Sequence, residues 1–177
     1  MFRIPSASFS LGADATIRHN TATNGAAFYI DGVSSSISIG DNLLVKNNSA
    51  TNAHVAWIES STVDVVIGTN SRWEDNSCAT TNTAAAGALS AVNTRNITFT
   101  GPVSFLRNTG QGGGAIFVQN AILNVPDDSS FIDNSARSFA GAILGYGVTT
   151  IRLGRYVYLG VDMCLLMPGS ACASRRI

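Results

Sequence analysis

The sequence is short of charge, of lysine, of proline and of long apolar runs, and the shortages of charge and of apolar runs each close off a class of protein. Only 12% of its 177 residues are charged, 11 basic and 11 acidic, so the formal net charge is zero. A nucleic-acid binder needs a basic patch to neutralise phosphates, and this balance provides none. Lys46 is the only lysine. No stretch approaches the roughly 18 consecutive apolar residues of a membrane-spanning helix. The first dozen residues hold no continuous apolar core of the kind a signal peptide needs. The expectation is therefore a cytosolic protein or a piece of a longer secreted chain. The three cysteines, Cys78, Cys164 and Cys172, are odd in number and do not make a complete disulfide framework. Cys164 and Cys172 either pair locally or remain thiols. No Cys-x-x-Cys or His-x-x-x-His spacing supports a zinc site. What fills the space is 15 Asn, 20 Ser, 15 Thr and 17 Gly beside a hydrophobic content of 45%. Such a chain is too apolar and too weakly charged for disorder, and its length suits one domain with a substantial core.

The Asn, Ser and Thr are not scattered. Five segments share an apolar residue, two variable residues, Asn, a hydroxyl residue and, after it, a small one. They run from Ile17 to Asn20, Val45 to Asn48, Trp73 to Asn76, Phe105 to Asn108 and Phe131 to Asn134, with Asn spacings of 28, 28, 32 and 26. Each is followed by a small-residue cluster entering an apolar strand. The clearest are Gly113-Gly114-Ala115-Ile116 and Ala140-Gly141-Ala142-Ile143. An insertion from Thr80 to Ala85 explains the long third spacing. Each Asn is also preceded, about one strand earlier, by an alternating segment closed by a turn residue, as in Ile37-Ser38-Ile39-Gly40. Ile151-Arg152-Leu153-Gly154 begins a sixth copy, which reaches Asp162 in the Asn position and then stops matching.

No segment sustains a 3.6-residue period, whereas the short alternating segments read as strands. A repeat of three short strands cannot bury a core alone but can when stacked on copies of itself. The predicted fold is all-β: a right-handed parallel β-helix of about five full coils and a partial sixth over residues 1–162. Residues 163–177 follow as a tail, either a cap or a truncated coil. Ile17, Val45, Trp73, Phe105 and Phe131 should stack inward. The repeat Asn should occupy a left-handed turn and pair with its counterpart one rung away. Gly and Ala should lie where walls approach closely.

The pairing of Phe-x-x-Asn with Gly-Gly-Ala-Ile, seen in full at Phe105 to Asn108 with Gly113 to Ile116, resembles the repeat of the chlamydial-type polymorphic outer membrane proteins. Residues Phe131 to Asn134 with Gly141 to Ile143 match nearly as well, and the first three repeats are degenerate. The likeness spans about residues 9–160. It implies a surface-exposed β-helical passenger acting in adhesion, secreted through an outer-membrane barrel, with a host or neighbouring cell-surface protein or a glycan as partner. Secretion and outer-membrane association rest on that resemblance, since the chain shows neither a signal peptide nor amphipathic barrel strands.

Parallel β-helices of the pectin-lyase-like kind also host carbohydrate-active enzymes, which need clustered carboxylates, often with Ca²⁺, and a basic residue. Register offers Asp31 and Glu59 as rung neighbours; they read as exposed rim acids or as a Ca²⁺ pair, the one cofactor the sequence raises. The same column continues with Val92, Gln119 and Tyr146. Tyr29 and Trp57 are also neighbours and should point outward, as a stacked pair or a binding wall. Asp127-Asp128 reads as turn chemistry after Pro126. Glu74, Asp75 and Asp133 share columns with Arg18, Lys46 and Arg107, a mixture expected of solvent-exposed positions. His19 and His54 have no Ser or Cys nucleophile in register, so no triad is assigned. Gly112-Gly113-Gly114 lacks the Lys-Ser/Thr and the helix of a phosphate loop. Cys78 lies in a small-residue column and is expected to pack. No catalytic residue is assigned, and the expected function is a non-enzymatic surface-interaction module. The alternative is a fragment of a carbohydrate-active enzyme, which three or more charged side chains converging on one wall would favour.

Overall fold

A computed structural model describes residues 8–160, except 34, 60–62 and 82–84. Among them there is no helix, hence none long and apolar enough to cross a membrane. The chain winds into a parallel β-solenoid whose coils lay strands into four walls. Wall 1 stacks Phe9–Leu11, Ile37–Ile39, Asp64–Ile67, Asn96–Phe99, Ile122–Val125 and Thr150–Leu153. Wall 2 stacks Thr16–Arg18, Leu44–Lys46, Ser71–Glu74, Val103–Leu106, Ser130–Ile132 and Tyr158–Leu159. Wall 3 consists of two-residue strands, Thr21–Ala22, Ser49–Ala50, Ser77–Cys78, Thr109–Gly110 and Ser135–Ala136. Wall 4 holds Phe28–Asp31, Ala56–Glu59, Leu89–Val92, Ile116–Gln119 and Ile143–Tyr146. The described residues thus make five turns and the first half of a sixth. Asp162, the tail 163–177 and the pairing of Cys164 with Cys172 lie outside them.

The repeat has four strands, not the three expected. The additional one is the hydroxyl–small pair after each Asn. It carries no apolar signal, yet Ser77 pairs with Ser49 on one side and Thr109 on the other.

Register follows the apolar columns. On wall 1, Phe9, Ile37, Val65, Ile97, Leu123 and Ile151 are successive rung partners. On wall 2 the column is Ile17, Val45, Trp73, Phe105, Phe131 and Leu159. Its middle is an aromatic stack, with Trp73 and Phe105 at 5.7 Å and 13°, and Phe105 and Phe131 at 5.0 Å and 7°. Phe99 and Phe28 meet this stack edge-on. Full burial of each large side chain contributes about 1.5–3 kcal/mol, and ring contacts add about 0.5–1.5 kcal/mol.

The repeat Asn form a ladder that is exposed at Asn20 and buried from Asn48 to Asn134. Asn108 Oδ1 accepts the backbone N–H of Asn76 at 3.1 Å and its Nδ2 at 2.9 Å. Asn108 Nδ2 in turn donates to Trp73 O and to Asn134 Oδ1. Asn20, Asn48, Asn76 and Asn134 continue the pattern. The expected left-handed turn is displaced by one residue. Positive φ belongs to the residue before each Asn: His19 at 57°, Asn47 at 53°, Asp75 at 55°, Arg107 at 53° and Asp133 at 54°. That residue turns its side chain away from the ladder, so its type is free to vary, whereas the side chains of Asn48, Asn76 and Asn108 are each held by four hydrogen bonds. Asp128, also left-handed at 59°, and Asp127, whose Oδ1 takes the Arg155 N–H, are turn residues as expected.

The Gly and Ala clusters form the long corner between walls 3 and 4. There Ala86, Gly113 and Ala140 bridge in parallel. A Cβ on Gly114 would stand 1.8 Å from Gly141 O, so no larger residue fits. The inserted loop of the third repeat spans this corner, and its residues 82–84 lie outside the described structure.

Candidate functional site

The outer face of wall 4 gathers aromatic and acidic side chains at the first two coils. Strand alternation sends Phe28, Ile30, Ala56 and Ile58 inward, all buried. Tyr29, Asp31, Trp57 and Glu59 therefore share the outer face, Tyr29 beside Trp57 and Asp31 beside Glu59. Sequence reasoning treated these as two separate features; the fold makes them one block of two aromatics and two acids. The rings of Tyr29 and Trp57 stack at 6.2 Å and 19°. Glu59 Oε1 accepts from Asn93 Nδ2 at 3.2 Å. Among the described residues no group of three or more His, Cys, Asp or Glu is placed to hold a metal, so the Asp31–Glu59 pair would have to recruit most of a calcium shell from elsewhere.

The face changes character along the axis. At coils three to five, the aromatic column continues as Ser90, Phe117 and Leu144, sealed beneath the Gly/Ala corner. Ala86, Val92, Phe117, Ala140 and Leu144 form a second, smaller core there, and Trp57 packs against its edge. At the first two coils the corner covers less, and Tyr29 and Trp57 remain half-buried.

Beneath Trp57 lies His54, which the sequence left without a partner. Its ring centroid is 4.0 Å from that of Trp57. Its Nδ1 is 2.8 Å from Ser90 Oγ, which also accepts the Ala86 N–H at 3.1 Å. Burial without a counter-charge pushes the imidazole down from 6.5 to about 4. The Ser90 proton is then available for a neutral Nδ1. Both residues are buried, at 4% and 0% exposure, so the pair braces the fold and does not face substrate. The signal available in the sequence was that Ser90 is the rung partner of Trp57, three residues after His54. The contact crosses columns, which alignment by column does not reveal.

Wall 2 corrects a second expectation. Glu74, expected at the surface, is 3% exposed. It is held by Lys46 Nζ at 3.0 Å and by Arg72. Burial disfavours its charge, but the bonds and charges of Lys46 and Arg72 outweigh that cost and keep the carboxyl below its ordinary value. Asp75 is held by both nitrogens of an Arg107 fork at 2.6 and 3.0 Å, which lowers its pKa. Five charged groups thus converge on one wall, paired with one another. Cys78 packs as expected: its thiol donates to Ala53 O, and burial pushes it up to about 11. His19 lies at an exposed turn.

No family model, no curated protein and no solved structure matches this chain.

Proposed function

We propose that this chain is a non-enzymatic β-helical module of a cell-surface or secreted protein, binding a surface protein or glycan through the outer face of wall 4 at the first two coils. The observation that carries this reading is the block of Tyr29, Trp57, Asp31 and Glu59. Here aromatic rings and carboxylates, the groups that stack on and hydrogen-bond to a partner, stand together on a rigid sheet. The Phe105–Asn108 and Gly113–Ile116 pairing favours a passenger like those of the polymorphic outer membrane proteins, and adhesion, secretion and outer-membrane association come with that comparison. The test is binding of the full chain to a glycan array and to intact cells, with and without a calcium chelator. Replacing Tyr29 by Ser together with Asp31→Asn and Glu59→Gln should weaken capture at least ten-fold at unchanged melting temperature. Undiminished capture would remove the block as the binding site.

The carbohydrate-active alternative draws on the Lys46, Arg72, Glu74, Asp75 and Arg107 cluster, since charged groups converging on one wall are what a lyase would use. Against it, each carboxylate already has a cationic partner, leaving none poised as a general base near neutral pH. Incubation with polyuronides, with and without Ca²⁺, decides: unsaturated product lost on Arg72→Gln would install the enzymatic reading.

A further inference from the structure

We propose that His54 and Trp57 form an acid-released latch in the wall 4 block: the neutral imidazole holds the indole against the long corner, and proton uptake drives the imidazole from its pocket, frees the indole and weakens capture on this face. The latch rests on the reading of wall 4 as the binding face and adds its regulation.

Trp57 is held by packing alone. Its ring centroid lies 4.0 Å from that of His54 and 6.2 Å from that of Tyr29, and the indole packs on the edge of the smaller core that includes Phe117 and Leu144. Its Nε1–H is shut off from solvent and meets no acceptor among the described residues. A buried donor without a partner is costly, so the closed position persists only while the surfaces around it do. Once the ring swings outward, water satisfies the N–H.

The support under the ring depends on a neutral imidazole. Gly25 N–H donates to His54 O at 2.8 Å, which pins the backbone and leaves the side chain as the part that moves. Nδ1 lies 2.8 Å from Ser90 Oγ, and that oxygen accepts the Ala86 N–H at 3.1 Å. A neutral Nδ1 accepts the Ser90 hydroxyl proton, so donor and acceptor match. A protonated Nδ1 is itself a donor and leaves the hydroxyl proton stranded in a buried pocket. The added charge finds no relief either. The titratable groups around the ring are Tyr29 and Asp31 on Phe28–Asp31, Glu59 on Ala56–Glu59, and Cys78, whose thiol donates to Ala53 O and feels the charge of Arg137. Leu89–Val92 and the corner at Ala86 bring none. None of these groups offsets a charge on the imidazole, whose titration is governed by burial and falls at about 4. Leaving the pocket hydrates the ring and frees Ser90 at once. The solenoid stays wound meanwhile, because hydrogen bonds from Arg95 and Arg107 hold Asp64 and Asp75 below 3.8.

Acrylamide quenching of tryptophan fluorescence on the complete chain reads the indole directly and needs no partner. Trp73 is fully buried and adds a constant background, which Trp73→Phe removes while keeping an aromatic ring in the column of Phe105 and Phe131. Trp57 should become at least two-fold more quenchable between about pH 6.5 and 4, at unchanged far-ultraviolet circular dichroism. His54→Phe, which keeps an uncharged ring, should shield Trp57 throughout, and His54→Ala should expose it already at neutral pH. A parent chain with flat quenching overturns the latch. So does a phenylalanine variant that responds like the parent, or an alanine variant that leaves Trp57 shielded. Capture by the glycan array and by intact cells is the second arm. From about pH 7 to 4 it should fall at least five-fold further in the parent chain than in His54→Phe, which corrects for every other titrating group. An equal fall in the two chains overturns the latch and leaves the wall 4 reading in place. No capture at neutral pH removes that reading, and quenching then judges the release of Trp57 by itself.

Discussion

Acid should loosen this solenoid in two separable steps, and His54 governs the first. Its ring takes up a proton near 6.5 in the unfolded chain but only at about 4 in the fold, because burial penalises the charge. A depressed histidine stabilises the native state fully above 6.5, and that contribution drains away as pH falls through 6.5 towards 4. The whole difference is worth about 3 kcal/mol, of which about 2 kcal/mol is gone by about pH 5. The carboxylates act later. Asp64, Glu74 and Asp75 are all held below their ordinary values of 3.8, 4.5 and 3.8, so their stabilisation is intact above those values and is lost only below them. The window between about pH 6.5 and 4.5 therefore belongs to His54. Urea unfolding followed by tryptophan fluorescence at about pH 7.5 and pH 5 measures it, and His54→Phe is the control. Phenylalanine keeps the packing on Trp57, forfeits the Ser90 bond at a cost of about 1 kcal/mol at all pH values, and should flatten the slope in this window. If the phenylalanine variant loses as much stability on acidification as the parent chain, His54 is not the proton acceptor and the argument fails.

Two further predictions probe the corners. Asn108→Leu removes partners from the Asn76 backbone N–H, Asn76 Nδ2, Trp73 O and Asn134 Oδ1, all buried, and should cost about 3–5 kcal/mol. Arg107→Leu, one residue away and exposed, should cost much less, because it sacrifices only a solvent-facing pair with Asp75. Equal thermal stabilities of the two variants would refute the ladder. Gly114→Ala should cost at least about 2 kcal/mol by driving a methyl into Gly141 O. Gly12→Ala, where a Cβ meets nothing within 4 Å, should be neutral or slightly stabilising. Calorimetry that ranks the two glycines the other way would contradict the close packing of the long corner.

The columns were legible where one residue type serves one role. Apolar residues recur eight positions apart from wall 1 to wall 2 in every coil, so Phe9 to Ile151 and Ile17 to Leu159 could be laid out before any coordinates. Wall 3 was illegible because a hydroxyl–small pair carries no apolar period, and two residues suffice for one rung bond. The burial of Glu74 was hidden because its column runs Arg18, Lys46, Glu74, Leu106, Ile132 and looks like tolerated surface. Only the fold shows that Arg72 and Lys46 close over the carboxylate. The candidate site was half legible. Register placed Tyr29 beside Trp57 and Asp31 beside Glu59, and alternation puts both pairs on one face, but that the same face is sealed from Ser90 onward depends on how the long corner folds back.

The scarcity of charge has a physical origin in this stacking. A solenoid places equivalent residues about 4.8 Å apart, so whatever occupies a column must tolerate itself as a neighbour. Asn does, because its amide donates and accepts at once and can pass a hydrogen bond from rung to rung. A repeated Asp, Glu or Lys would set like charges against each other on every rung. Charge is therefore admitted where signs alternate between coils. Arg18 beside Lys46 looks like an exception, but Glu74 on the next rung supplies the opposite sign. Asp31 beside Glu59 has no such relief in its column, which goes on to Val92, Gln119 and Tyr146. This like-charged pair departs from the pattern of the other charged columns, and the Asn93 amide donates to Glu59 across the next rung. It lies beside the half-exposed stack of Tyr29 and Trp57, the block on which the proposed binding site rests.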